Sequence, residues 1–207
     1  MFRSEAPVIR RGEFVEVHVG AGGETLPCVA KLRRDFRYIF LDPKYNTYDG
    51  DIPNIDAIRQ LHETGAEFYP HTLRTAQLPS GSVDILHMSN VLNSFSEDYD
   101  PHPDEDPNAL LKETARILKT KSFAMVGAWH TPDFCDIRHV HDSARRYGLK
   151  PETIAFVRDL ELPSEETINL FVQLAHARID SLLREGGYVD ADSYLVRLVK
   201  GEGERNL

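Results

Sequence analysis

Gly20-Ala21-Gly22-Gly23 closes the apolar run Phe14-Val15-Glu16-Val17-His18-Val19, and this junction is the part of the chain best suited to hold a ligand. Glycines let the backbone approach a bound group closely, and a helix starting just after them offers unpaired N–H groups. Asp42 stands 22 residues beyond Gly20, at the end of a second apolar run. An acid there can accept hydrogen bonds from the hydroxyls of a ribose held above the first turn. Either feature alone is ordinary turn chemistry. Their pairing points to a nucleoside. A dinucleotide fingerprint, Gly-x-Gly-x-x-Gly, would need glycine where Thr25 stands.

Chemistry beyond binding needs polar groups at the same edge, and His71, Asn90, Asn93 and His130 all follow predicted strands. His130 comes directly after Trp129, on the side where open α/β sheets bind their ligands. An imidazole in that place can take a proton near neutral pH, which makes His130 the catalytic candidate. No metal site is expected. In His139-Val140-His141-Asp142 the histidines are two apart, and on a helix that turns them about 200° from one another. Cys28 and Cys135 match no zinc spacing, are too few for a disulfide framework, and read as small buried apolar side chains on helices. Lys31, Arg33, Arg34 and Arg37 read as the solvated end of the first helix, where cations suit the dipole.

These groups must be positioned by elements, and short β-rich runs alternate with helical patterns as in a mainly parallel sheet. Strands are expected over 14–19, 38–41, from 67, over 83–88, 122–129, 153–157 and 194–199. Helices are expected over about 26–34, 54–64 and 107–119, then from Thr131-Pro132 to a stop at Gly148, and over 164–184. Asp106-Pro107 supplies an N-cap and a first-turn proline. Glu97 to Asp106 is dense in charge and proline and reads as a solvated loop.

With 207 residues, 41% hydrophobic and 28% charged, the chain fits one globular domain over 1–207. No apolar run approaches the roughly 20 residues of a bilayer span, and no secretory leader precedes the first strand, so a cytoplasmic protein is expected. A net charge of −9, from 33 acids against 24 Lys plus Arg, does not favour nucleic acid as a partner.

Further along, Leu78-Pro79-Ser80-Gly81-Ser82-Val83-Asp84-Ile85-Leu86 looks like a leucine-proline turn entering a fourth strand. Leu110-Leu111-Lys112-Glu113-Thr114-Ala115-Arg116-Ile117-Leu118-Lys119 looks like the helix before a fifth. In order and spacing, with the glycine turn and Asp42, these resemble the class I S-adenosylmethionine-dependent methyltransferases over about Phe14 to Trp129. The resemblance implies an α/β, Rossmann-like methyltransferase fold. Its mostly parallel seven-stranded sheet carries helices on both faces, and the 164–184 helix is inserted before the last strand. It implies S-adenosylmethionine as cofactor and a small-molecule methyl acceptor, with the inserted helix offering a substrate wall or a homodimer surface. Gly20, Ala21 and Gly22 would face the methionine and ribose, Asp42 the ribose hydroxyls, and Pro43 the adenine. Arg74, Thr75 and Ala76 would lie at the adenine edge, and Met88 and Ser89 near the sulfonium. The sequence departs from the family at His18, where an acid is usual, at Glu24, where the third glycine falls, and at Arg74, where an adenine-binding Asp is common. The resemblance would thus make His18 a cofactor contact of altered chemistry, where the residue read alone is equally a satisfied strand-end histidine. A non-catalytic protein that keeps the fold is the alternative, and a nicotinamide oxidoreductase ranks third.

Overall fold

The computed structural model describes residues 2–20, 36–46, 55–89, 106–129, 137–157 and 193–202. In chain order the elements are β1 (Phe14–Val19), β2 (Phe36–Leu41), α1 (Ile55–Glu63), β3 (Glu67–Tyr69), β4 (Val83–Ser89), α2 (Pro107–Ile117), β5 (Leu118–Trp129), α3 (Ile137–Arg146), β6 (Leu149–Val157) and β7 (Ser193–Lys200). The strands form one seven-stranded sheet in the order β3-β2-β1-β4-β5-β7-β6. The four pairings from β3 to β5 are parallel. Strand β7 runs antiparallel between β5 and β6. The sheet is therefore mostly parallel, as expected, with a mixed far edge.

Side chains alternate across each strand, and this alternation separates two cores. Val15, Val17 and Val19 of β1 join Ile39, Leu86, Met88, Val126 and Val196 on one face, packed under Leu110, Leu111 and Ile117 of α2 and Val140 and Ala144 of α3. On the other face Tyr38, Phe40 and Phe68 meet Ile58 and Leu61 of α1. Helices thus cover both faces. Each is shorter than a bilayer span, and none of the described helices is long and apolar enough to cross a membrane.

Local signals set several boundaries. The Asp106 side chain accepts a hydrogen bond from the Asn108 amide at 2.9 Å, and Pro107 occupies the first turn of α2, where its missing N–H has no partner to lose. Gly148 closes α3 in the left-handed region, with φ 74°, as the sequence predicts. Other boundaries differ. Helix α2 ends at Ile117 rather than Lys119, because Leu118 takes extended backbone and pairs with Val83. Strand β6 starts at Leu149 rather than near Thr153. It accepts Pro151 because it is the outermost strand, with one side free of a pairing partner in the sheet.

Arg37 corrects the sequence reading. It is the second residue of β2, not part of a helix end, and its guanidinium is held by carboxylates. Lys31, Arg33 and Arg34, the expected first helix, the 164–184 helix, Cys28 and Cys135 lie outside the described residues.

Candidate functional site

The strand order reverses beside β1: β2 and β3 lie to one side, β4 and β5 to the other. In open α/β sheets such a switch point leaves a crevice outside the carboxyl ends of the strands. Here the ends are level. Val19 lies opposite both Leu41 and Met88, Leu41 opposite Tyr69, and Ser89 opposite Gly127. The next residue on β1 is Gly20, whose amide donates to the Leu41 carbonyl at 3.0 Å. Its φ of 68° lies in the left-handed region, where a Cβ is strained. One strand further, the Asp42 amide donates to the Tyr69 carbonyl at 3.2 Å. Asp42 is 5% exposed and begins a tight turn, its carbonyl accepting from the Tyr45 amide at 3.1 Å. Neighbouring strands are about 4.8 Å apart, so Gly20 and Asp42 are adjacent.

The remaining expected contacts divide. Pro43 is exposed at the start of a 3₁₀ turn, Pro43–Asn46. Arg74 and Thr75 are exposed in the turn after β3, where the Thr75 hydroxyl accepts from the Thr72 amide at 2.9 Å. Ala76, in the same turn, is buried in the larger core. Met88 points into that core as well, with its sulfur 3.8 Å from the Thr114 hydroxyl, so its backbone is what reaches the edge. Ser89 ends β4. Ala21, Gly22, Asn90, Asn93 and His130 lie outside the described residues. His71 sits against the Ser4 carbonyl at 3.2 Å.

His18 is placed on a sheet face, one pleat short of the edge. Its ring stacks between Phe40 on β2 (4.8 Å) and His87 on β4 (4.5 Å), its register partners on either side. Glu16, two residues earlier, shares this face, and its Oε1 lies 3.0 Å from Nε2 of both His18 and His87. Burial pushes the Glu16 carboxyl up, but the two imidazoles more than offset this and hold it at about 2. Burial pushes the His18 imidazole down to about 4, with Glu16 opposing. Near neutral pH the site holds an anionic carboxylate and a neutral His18. Period-two spacing could have revealed from the sequence that Glu16 and His18 share a face, whereas His87 enters only through the pairing of β1 with β4.

A second cluster, at the amino ends of the strands, fixes the scaffold. The Arg37 guanidinium bonds both Glu67 oxygens, at 2.6 and 3.0 Å, and reaches Glu13 at 3.1 Å. Glu67 also accepts from the Tyr69 hydroxyl at 2.6 Å and pairs with Arg3 at 2.5 Å. The Arg3 amide bonds the Phe68 carbonyl at 2.9 Å, so the leading segment lies along β3.

No family model matches the chain, and no curated protein matches it by sequence. Solved structures do match. The YcgJ protein from Bacillus subtilis aligns over 93% of this chain and 94% of its own, at 15% identity and a TM-score of 0.60. A SAM-dependent methyltransferase from Aquifex aeolicus aligns over 90% and 82%, at 14% identity and 0.55. Phosphoethanolamine N-methyltransferase 2 of Haemonchus contortus, in complex with S-adenosyl-L-methionine, aligns over 95% of this chain and 50% of its own, at 10% identity and 0.56. The chain has the fold that these three structures share, two of which are methyltransferases.

Proposed function

We propose that this chain binds S-adenosylmethionine at the carboxyl edge of its sheet and transfers the methyl group to a small molecule. The observation that carries the reading is the level meeting of the Gly20 turn, Asp42 and the end of β4 at the switch point beside β1. A glycine turn and an acid on the next strand suit a nucleoside, and the fold is that of proteins using this cofactor.

In this reading Asp42 accepts from the ribose hydroxyls, while Gly20, Ala21 and Gly22 let backbone lie against the ribose and methionine. Pro43, Arg74 and Thr75 border the adenine, while Ala76, buried in the core, supports the turn that carries them. His18, two residues before Gly20, stands where the family's usual acid would be. Ser89 and the Met88 backbone border the space into which the methyl group projects. The cofactor supplies an electrophilic methyl on a sulfonium; the acceptor's lone pair forms the new bond as the carbon–sulfur bond breaks, leaving the thioether S-adenosylhomocysteine. The protein's part is alignment and exclusion of water. Where the acceptor carries a proton, His130 takes it.

The test is thermal unfolding of the full chain with S-adenosylhomocysteine. At 100 times Kd, a ligand bound only by the native state stabilises it by about 2.7 kcal/mol, or about 5–10 °C for a domain of this size. No shift at millimolar ligand, with the protein folded, rejects the reading. A shift with NADH alone replaces it with a nicotinamide site, and tight binding without transfer to any component of a cell extract favours a non-catalytic role.

A further inference from the structure

The trio on the opposite sheet face combines donors that transition cations favour. Glu16 and His18 come from β1 and His87 from β4, and the nearest ligand atoms of the three all lie within 4.8 Å of one another. Glu16 Oε1 is 3.0 Å from each Nε2. Two imidazoles and a carboxylate form a set that zinc accepts at about 2.0–2.2 Å per ligand, which places neighbouring ligand atoms roughly 3.3 Å apart. Magnesium and calcium prefer an all-oxygen shell, which this cluster lacks.

We propose that Glu16, His18 and His87 form a binding site for one divalent cation of the zinc class. The backbone already fixes the arrangement, because His18 and His87 are register partners and Glu16 precedes His18 by one pleat on the same face. The rings stand parallel, within 9°, and share one carboxylate oxygen. Taking the cation requires the imidazoles to swivel until their Nε2 lone pairs converge, with their protons on Nδ1. His87 has the freedom to do so, its side chain being 39% exposed, and it gives the cation a way in. His18, stacked on Phe40, is the stiffer partner. Three protein donors leave a fourth position for water, the pattern of an open rather than a closed zinc site.

Equilibrium dialysis of the full chain against zinc, with cobalt as a spectroscopic substitute, tests the proposal. Wild type should take up one equivalent that magnesium does not displace, and the cobalt form should show ligand-field bands. Glu16→Gln and His87→Phe should each weaken that equivalent at least tenfold and change the bands. His87→Phe retains a ring that can stack, so a native far-UV circular dichroism spectrum is expected to accompany the loss. His62→Ala, which removes an exposed imidazole on α1, should change nothing. Absence of a saturable equivalent in wild type at tens of micromolar free zinc overturns the proposal. So does an equivalent bound equally well by wild type and both cluster variants.

Discussion

Arg37→Ala removes a guanidinium that bonds Glu67 through two nitrogens and Glu13 through a third. Glu67, with a side chain only 10% exposed, then keeps the Tyr69 hydroxyl and Arg3, whose own side chain is 55% exposed and screened by water. Breaking a buried pair on one side costs about 3–5 kcal/mol; the 20% exposure of Arg37 and the surviving partners reduce this to about 2–3 kcal/mol. For a domain of about 200 residues the corresponding fall in Tm is about 4–12 °C. The dependence on pH separates ion pairing from packing. Burial pushes the Glu67 carboxyl up, and Arg37 and Tyr69 more than reverse this, leaving it below the usual range. A lowered carboxyl stabilises the fold above its ordinary value, and that contribution is lost as pH falls through the lowered one. The cost of Arg37→Ala should therefore be full at pH 7 and shrink as Glu67 protonates below the ordinary carboxylate range. Urea unfolding of both proteins from pH 7 to 3.5 measures it. An equal cost at both ends, or one below about 0.5 kcal/mol at pH 7, refutes the ionic clamp.

Four further outcomes are expected. Asp42→Ala should weaken S-adenosylhomocysteine about 10- to 100-fold by calorimetry, the cost of one charge-assisted hydrogen bond; unchanged affinity makes Asp42 a turn residue only. Gly20→Ala should destabilise by about 1–2 kcal/mol in chemical unfolding, because its φ is 68°, and a neutral result means the turn relaxes. Thr114→Val should cost about 1 kcal/mol, since the buried hydroxyl donates to the Leu110 carbonyl at 2.8 Å; a gain in Tm contradicts this. His130→Ala should lower the single-turnover rate about 10²- to 10⁴-fold for an acceptor that must lose a proton, and full activity removes His130 as the base.

The legibility of the fold follows from the range of the forces involved. Strand β1, the Asp106 cap and the Gly148 stop depend on neighbours within a few residues, and the sequence carries all three. Sequence alone assigns Arg37 to a helix end because a cation after a helical pattern resembles one. Its real partners, Glu67 and Glu13, are 30 and 24 residues away and meet it only when β2 pairs with its neighbours. Met88 illustrates the same limit. Its place at the end of β4 was legible, but the direction of its side chain depends on which face α2 covers. The cluster at Glu16 needed a parallel pairing across 69 residues before His87 could join it.

The position of β7 carries a consequence for how the molecule is made. It is translated after β6 yet lies between β5 and β6, hydrogen-bonded to both. Until Ser193–Lys200 leaves the ribosome, the far side of β5 has no mate and β6 has nowhere to dock. The parallel half from β3 to β5 can assemble as it emerges; the antiparallel half must wait. During that interval a nascent chain exposes an unpaired strand edge of the kind that recruits strands from other molecules. A pause in translation before residue 193 should therefore raise aggregation far more than a pause after residue 200, independently of how stable the finished protein is.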